Sequence, residues 1–311
     1  MLCSTNLMRF TGFFAAWLAL LPSAFGWNAT GHRIIAAIAY DRLTPKARAR
    51  VDDLLKHHPD YATILTRNAP ADPAGRAREA FLAAAVWPDT IKGDSRFWDD
   101  TRADAHPTDL IPGFPDMKRH TNWHYFDTPY APDGAKPEHQ DPPHALSELP
   151  RLIHEIGKAP DAIASYDLPW IEHVEGDIHQ PLHCVSRFLK SQPKGDAGGN
   201  LVILGERRNL HSLWDGAAGN DNGDAYVTKY AADAVAAHPA SKKQEKNPKK
   251  WIQEGYVVAK AEVYTFGNEA GSREHPVELP ASYTENAQRV AQARIALAGY
   301  RLAAVLNDKL K

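Results

Sequence analysis

Apolar residues recur three and four positions apart in GHRIIAAIAYDRL, residues 31–43, the spacing of one helix face. Thr44-Pro45 follows, an N-cap residue with proline at the first helical position, and predicts a second helix over residues 45–57. Residues 76–85, 145–158 and 169–182 carry the same period. Further helices are predicted to begin at Asn209, Asp224, Asn247 and Ser282, the last long and amphipathic. Residues 93–143 are rich in Pro, Asp and Gly and lack periodicity, so they read as a long surface loop region. Gly198-Gly199-Asn200 ahead of LVIL predicts one short strand pair. The pattern describes a mostly α, single-domain protein with a short β-hairpin.

The N-terminal segment has a different character. Arg9 precedes the apolar run FTGFFAAWLALL, and Ala24-Phe25-Gly26 is a small-x-small cleavage pattern. Residues 1–26 therefore read as a signal peptide, residues 27–311 as the mature protein, and the chain as exported to a periplasm or the medium. The run is too short to span a bilayer comfortably, and nothing later resembles a membrane helix. Cleavage after Gly26 would leave Trp27 as a new terminus. Only Cys184 remains after residue 26, so the mature chain can form no internal disulfide; a buried, apolar role is expected for that thiol.

Charge narrows the function classes. The net charge is −2, and residues 1–26 carry one Arg and no acid, so the mature chain is slightly more acidic. That excludes a nucleic-acid binder working through its own basic surface. The Lys-rich SKKQEKNPKK, residues 241–250, reads as a solvated connector. Attraction of a polyanion would need bound cations.

The strongest chemical signal is HVEGDIHQPLH, residues 173–183. His173 and Asp177 stand at i and i+4, so one helix face would present an imidazole and a carboxylate, a donor set that suits zinc. His183 lies six residues beyond Asp177, about 120° round an ideal helix, with Pro181 disturbing the backbone between them. It would serve a different metal or a different side of one cluster. His179 and His183 are themselves four apart, and spacing alone leaves open which of the two is the ligand. NLHSLWD repeats the i, i+4 arrangement with His211 and Asp215. WPDTIK places Lys92 three residues after Asp89, and NWHYFD sets His124 between aromatics with Asp127 three residues on. Any one of these could be a packed histidine or a helix cap; two His–Asp pairs in one helical chain are harder to dismiss.

Taken in order, Trp27, GH, WxD…K, WHYFD, HxxGDxHQPLH, GGN and NLHxxWD resemble the S1/P1 nuclease family, from Trp27 to the C-terminus. The resemblance implies a mostly helical fold of the phospholipase C/P1 nuclease type with three Zn2+ in a cleft. It implies that one zinc of a close pair takes Asp89, His124, His173 and Asp177. The second takes the Trp27 amine and carbonyl, His32 and the bridging Asp177, and the third takes His183, His211 and Asp215. His179 is left as a supporting residue. Asp89 would orient a water whose pKa the paired cations lower, and Lys92 would help neutralise the phosphoryl group. Tyr125 would stack on a base and Asp127 would bond its edge, Tyr125 being equally suited to ordinary packing. The implied activity is endonucleolytic hydrolysis of single-stranded DNA and RNA to 5′-phosphate products, with 3′-nucleotidase activity and no obligate protein partner. Zinc phospholipase C chemistry is the alternative, with a non-catalytic zinc-binding protein behind it. The sequon Asn28-Ala29-Thr30 would place a glycan beside a metal ligand.

Overall fold

The computed structural model describes residues 26–205 and 208–311. The signal-peptide segment, apart from Gly26, lies outside the described residues. Ten α-helices are described: α1 (Ala29–Tyr40), α2 (Pro45–Lys56), α3 (Pro73–Ala84), α4 (Trp87–Thr90), α5 (Ala145–Glu155), α6 (Asp161–Asp177), α7 (Leu210–Asp215), α8 (Asp224–Ala237), α9 (Pro248–Val258) and α10 (Tyr283–Lys309). β1 (Pro129–Tyr130) and β2 (Ser186–Arg187) form a two-stranded parallel sheet. The fold is mostly α, as the periodicity predicts.

α1 is the central element. It is buried from Thr30 to Tyr40 except at Arg33 and packs on α10, α8, α3 and α6. Gly299 lets α10 close on it: a Cβ there would lie 2.6 Å from Ile38 Cβ. The N-terminus of α1 is set by Asn28, whose side chain accepts the Gly31 N–H and donates to Gly219 O at 2.7 Å and Asn220 Oδ1 at 2.9 Å. The sequon asparagine is thus already committed, and a glycan on its nitrogen would remove one of the two N–H donors.

Three expectations change. Pro169 does not open a helix; it lies inside α6, which begins eight residues earlier at Asp161. Burial of α6 from Ala164 onward supplies what the missing proline N–H takes away. α6 also ends at Asp177, where the Ile178 N–H bonds back to Val174 O and Gly176 O. His183 therefore sits on a separate 3-10 turn, Pro181–Cys184, and the ideal-helix angle between Asp177 and His183 does not apply. Residues 93–143 are not wholly a surface loop. Phe97, Phe114, Met117 and Trp123 are buried, and Phe97 and Phe114 pack on Trp87 with ring centroids 5.7 and 6.0 Å away. Isolated hydrophobics at irregular spacing leave no period to read. The expected hairpin is one antiparallel bridge, Ile203 with Asn209, carried by Leu204 N–H to Arg208 O and Leu210 N–H to Val202 O. Among the described residues no helix is long and apolar enough to cross a membrane.

Candidate metal centre

Six segments deliver the site, and each is fixed by its own local chemistry. α4 carries Asp89, and Trp87 two residues earlier donates its indole N–H to Asp60 Oδ2 at 2.9 Å. The 3-10 turn Thr121–His124 ends on His124. From there the chain runs extended beside the segment that leaves the 181–184 turn: Phe126 N–H bonds His183 O at 2.9 Å, and β1 then pairs with β2. α6 presents His173 and Asp177, α1 presents His32, and α7 presents His211 and Asp215. Gly176 is required where α1 crosses α6, since a Cβ there would stand 3.0 Å from His32 Nδ1.

Asp177 is the hub. Its Oδ2 lies 3.0 Å from His124 Nδ1 and 3.2 Å from His173 Nε2, and its Oδ1 lies 3.3 Å from His32 Nε2. His173 Nε2 is also 2.9 Å from His124 Nδ1 and 3.5 Å from Asp89 Oδ1. The His32 and His173 rings stack at 3.9 Å. Lys92 Nζ pairs with Asp89 Oδ1 at 2.7 Å. A second focus holds His183 and His211, whose Nε2 atoms are 3.1 Å apart, with Asp215 Oδ2 3.5 Å from His211. Gln180 donates to the other Asp215 oxygen at 2.7 Å.

The tautomers follow from the backbone. His173 Nδ1 faces Ala85 O at 2.7 Å, His183 Nδ1 faces His124 O at 2.7 Å, and His211 Nδ1 faces Gly198 O at 2.6 Å. A carbonyl only accepts, so each Nδ1 must carry the proton. In the neutral rings each Nε2 then turns a lone pair inward, and those of His183 and His211 face one another. Two imidazole nitrogens converging beside a carboxylate are donors that a cation between them would bridge. Histidines whose outer N–H is anchored on a carbonyl are the usual form of a metal ligand. His32 is buried with no hydrogen bond on either ring nitrogen, and His124 Nε2 and Asp177 Oδ1 likewise have none. Within this site three groups have donor atoms within 4.8 Å of one another: His32, Asp89 and His173; His124, His173 and Asp177; His183, His211 and Asp215. Buried nitrogen and carboxylate donors of this kind fit zinc.

Burial and charge act in opposition here. Burial alone would lower His173, but Asp177 and Asp89 overcome it and push it up to about 10. Burial opposes the charge of Asp89, yet Lys92 and His173 hold it below the ordinary carboxylate range; His173 and His183 do the same for Asp177. Burial, with the Lys92 charge, brings His124 down to about 3. Asp215, with Gln180 as a bonding partner, is raised by burial.

A cleft of about 450 Å3 opens on the cluster, with Asn28, Asp89, Thr90, Ser212, Asp215 and Asn220 among its lining. Tyr125 and Asp127 follow His124 directly but do not line it. Tyr125 is half-buried and donates to Asn122 Oδ1 at 3.0 Å. Asp127 is pushed up to about 7 by burial and by the nearby Asp196 carboxylate. Trp27 is fully buried, its Cβ so close to Gly31 that no side chain fits at that glycine. Gly26, still attached, lies against Asp177 and His183, within 3.1 Å of His183 Cε1 at the point where a Cβ would stand.

A model of the S1/P1 nuclease family matches residues 27–311. The chain belongs to this family. It is 24% identical to Nuclease S1 of Aspergillus oryzae over 314 aligned positions, covering 94% of this chain and 95% of that protein. It is also 28% identical to Endonuclease 5 of Arabidopsis thaliana over 162 positions, covering 45% of this chain and 49% of that protein. As an S1/P1 nuclease the protein is a hydrolase acting on phosphodiester bonds, with nucleic acid as substrate.

Two features of this nuclease fold were out of reach of spacing arguments. His179, one of the two histidines that spacing could not separate, points away from the cluster. Its Nδ1 bonds Glu175 O at 2.7 Å and its Nε2 accepts from Arg301 Nη1 at 3.0 Å, leaving no lone pair for a metal. Arg294 Nε donates to His179 O at 3.0 Å, and Arg301 makes a two-pronged pair with Glu254 at 2.6 and 2.9 Å. Two buried arginines on α10, seven residues apart, thus brace the turn between Asp177 and His183; only that heptad spacing could have hinted at them. Arg301→Ala is expected to lower the stability of the metal-free protein by about 2 kcal/mol, the cost of removing charged hydrogen bonds. Arg301→Lys should recover only part of it, because a point charge replaces a fork. Urea midpoints check this; an unchanged midpoint in Arg301→Ala would refute it. Cys184 is buried, donates to Ile178 O at 3.1 Å and is pushed up to about 12 by burial, the inert role expected of it.

Proposed function

We infer that residues 27–311 act as one catalytic domain, exported after removal of residues 1–26, that hydrolyses single-stranded DNA and RNA to 5′-phosphate products and releases phosphate from 3′-nucleotides. The reading rests above all on the facing Nε2 atoms of His183 and His211 beside Asp215, a few ångströms from a second buried cluster around Asp177. Three zinc ions suit this donor set. One would be held by Asp89, His124, His173 and Asp177, one by His32, Asp177 and the Trp27 amine and carbonyl, and one by His183, His211 and Asp215. When bound, the ions supply the positive charge that lowers the pKa of water and neutralises the phosphodiester.

The chain's own residues supply the rest. Asp89, at the cleft wall, can accept a hydrogen bond from an incoming water and aim it at phosphorus. Lys92 places its ammonium against Asp89, within reach of a phosphoryl oxygen at the same wall. Gln180 orients Asp215. Tyr125 and Asp127 do not line the cleft, and their assignment to the base, the ring by stacking and the carboxyl by its edge, rests on the family resemblance alone. Unpaired bases splay freely onto such groups, which favours single strands.

Metal analysis of mature protein should find about three zinc ions per chain, and chelation should abolish hydrolysis of a single-stranded oligonucleotide, with zinc restoring it. The same strand annealed to its complement should be cut far more slowly. Turnover of phosphatidylcholine without turnover of nucleotide would overturn the reading in favour of phospholipase chemistry, and full activity after chelation would overturn the zinc assignment.

A further inference from the structure

The net charge of −2 averages over a polarised molecule. The connector of residues 241–250 holds five lysines and one acid, and the fold sets Lys158, Lys309 and Lys311 beside it. A cavity of about 470 Å3 lies where α5, the connector and the C-terminal end of α10 meet, with His154, Lys246, Asn247 and Lys309 among its lining. Lys158 Nζ lies 2.6 Å from His154 Nε2, and Lys246 and Lys311 share Asp308 at 3.5 and 3.1 Å. Glu245 is occupied too: it accepts from the backbone N–H groups of Lys246 and Asn247 and pairs with Lys250 at 2.7 Å. Among the described residues no carboxylate lies within 4.0 Å of Lys158, Lys242, Lys243, Lys249 or Lys309. All of these are exposed except the half-buried Lys309. The connector is solvated, as its composition predicts, but it is one part of a larger basic surface.

This surface is remote from the metal centre. α10 runs beside α1 in the same direction, Gly299 meeting Ile38 and Asn307 bonding Thr44 N–H and Arg42 O just past the end of α1. His32 sits in the first turn of α1, and the 12 residues of that helix rise about 18 Å. A dinucleotide in the cleft cannot reach the lysines, and a long strand can. No Tyr, Trp or Phe lines the cavity, so bases have nothing to stack on and the complementary group is a phosphate. We propose that this lysine-rich end is a docking surface for the phosphate backbone of a long nucleic-acid strand, away from the bond being cut. This deepens the nuclease reading and rests on it. Holding one part of a strand makes delivery of another part to the cleft an intramolecular step, at a raised effective concentration. Contacts to phosphate alone carry no sequence preference and weaken with salt.

The test compares a dinucleotide with a single strand of about 40 nucleotides on the zinc-loaded, mature protein, at roughly 50 and 200 mM salt. Lys242, Lys243 and Lys249 are changed together, because they are exposed and pair with no carboxylate. The triple variant Lys242→Gln, Lys243→Gln, Lys249→Gln is expected to raise KM for the long strand about tenfold to twentyfold at the lower salt. Its kcat and its constants for the dinucleotide stay unchanged. Three lost contacts take about 2 from the slope of log affinity against log salt, at about 0.7 per phosphate on a single strand. Raising the salt to about 200 mM therefore shrinks the difference from wild type roughly 16-fold and closes it. The corresponding triple Lys→Arg variant keeps the charge and behaves as wild type. An unchanged long-strand KM in the Gln variant overturns the proposal. So does an equal rise on both substrates, which is what the general field of the protein would give. Binding of phosphatidylglycerol vesicles that the Gln variant loses, with its long-strand KM unchanged, assigns the lysines to a membrane surface instead. Failure of the wild type to hydrolyse either substrate overturns the nuclease reading itself, and the docking surface with it.

Discussion

Protein that begins at Trp27 is expected to be fully active, and protein that keeps Gly26 is expected to lose about 100-fold in activity and about one metal ion per chain. Gly26 supports this directly. It occupies space against Asp177 and His183, and a side chain there would run into the Asp177 carboxylate. While Gly26 is attached, the Trp27 nitrogen is an amide whose lone pair is delocalised into its carbonyl, so it cannot donate to a metal. Cleavage converts it to an amine and vacates the space beside Asp177 together. Trp27 itself is suited to hold the freed end still: its side chain is fully buried and locked over Gly31 in the first turn of α1. The experiment is metal content and turnover of the two forms, followed by enzymatic trimming of the longer one. Restoration of both on trimming supports the assignment. Undiminished metal content and activity with Gly26 in place would sink it.

Asp177→Asn is expected to lower activity on the order of 10³-fold, the upper end of what removing one preorganised charged group costs. The reason is the number of partners that meet on one carboxylate. Oδ2 serves His124 and His173, and Oδ1 faces His32 and, at 3.8 Å, His183. Asparagine has nearly the same shape but replaces one oxygen with an NH2 group that cannot bind a cation. Bound metal should therefore fall by more than one equivalent, while far-ultraviolet dichroism stays helical. Asp215→Asn is the comparison. Asp215 is bonded to Gln180 and grouped only with His183 and His211, so its loss should remove a single ion. Equal metal loss in the two variants would refute the claim that Asp177 is shared.

Much of the site was legible because helices write their faces into spacing. His173 with Asp177 and His211 with Asp215 share a face through the four-residue offset, and the structure keeps both pairs within 3.5 Å. Helix starts at Asn209, Asp224, Asn247 and Ser282 were marked by capping chemistry or a change to helical period, and helices begin there. Helix ends were less legible. α6 stops at Asp177 and a 3-10 turn carries His183, because Gln180 caps that turn through Leu182 N–H and α10 braces it from behind. The partner that decides the outcome lies more than a hundred residues away.

By itself, then, the sequence determined the helical class, the two His–Asp pairs and the order of motifs that places the chain among the S1/P1 nucleases. These are local properties or linear patterns, set by backbone period and by residue type. Only the tertiary structure decided which histidine of His179 and His183 turns inward, since the choice depends on Arg301 and on the His124 carbonyl rather than on spacing. Only it brought Gly26 against Asp177 and locked Trp27 over Gly31. Contacts between distant segments are fixed by packing around α1, and no window along the chain contains both partners.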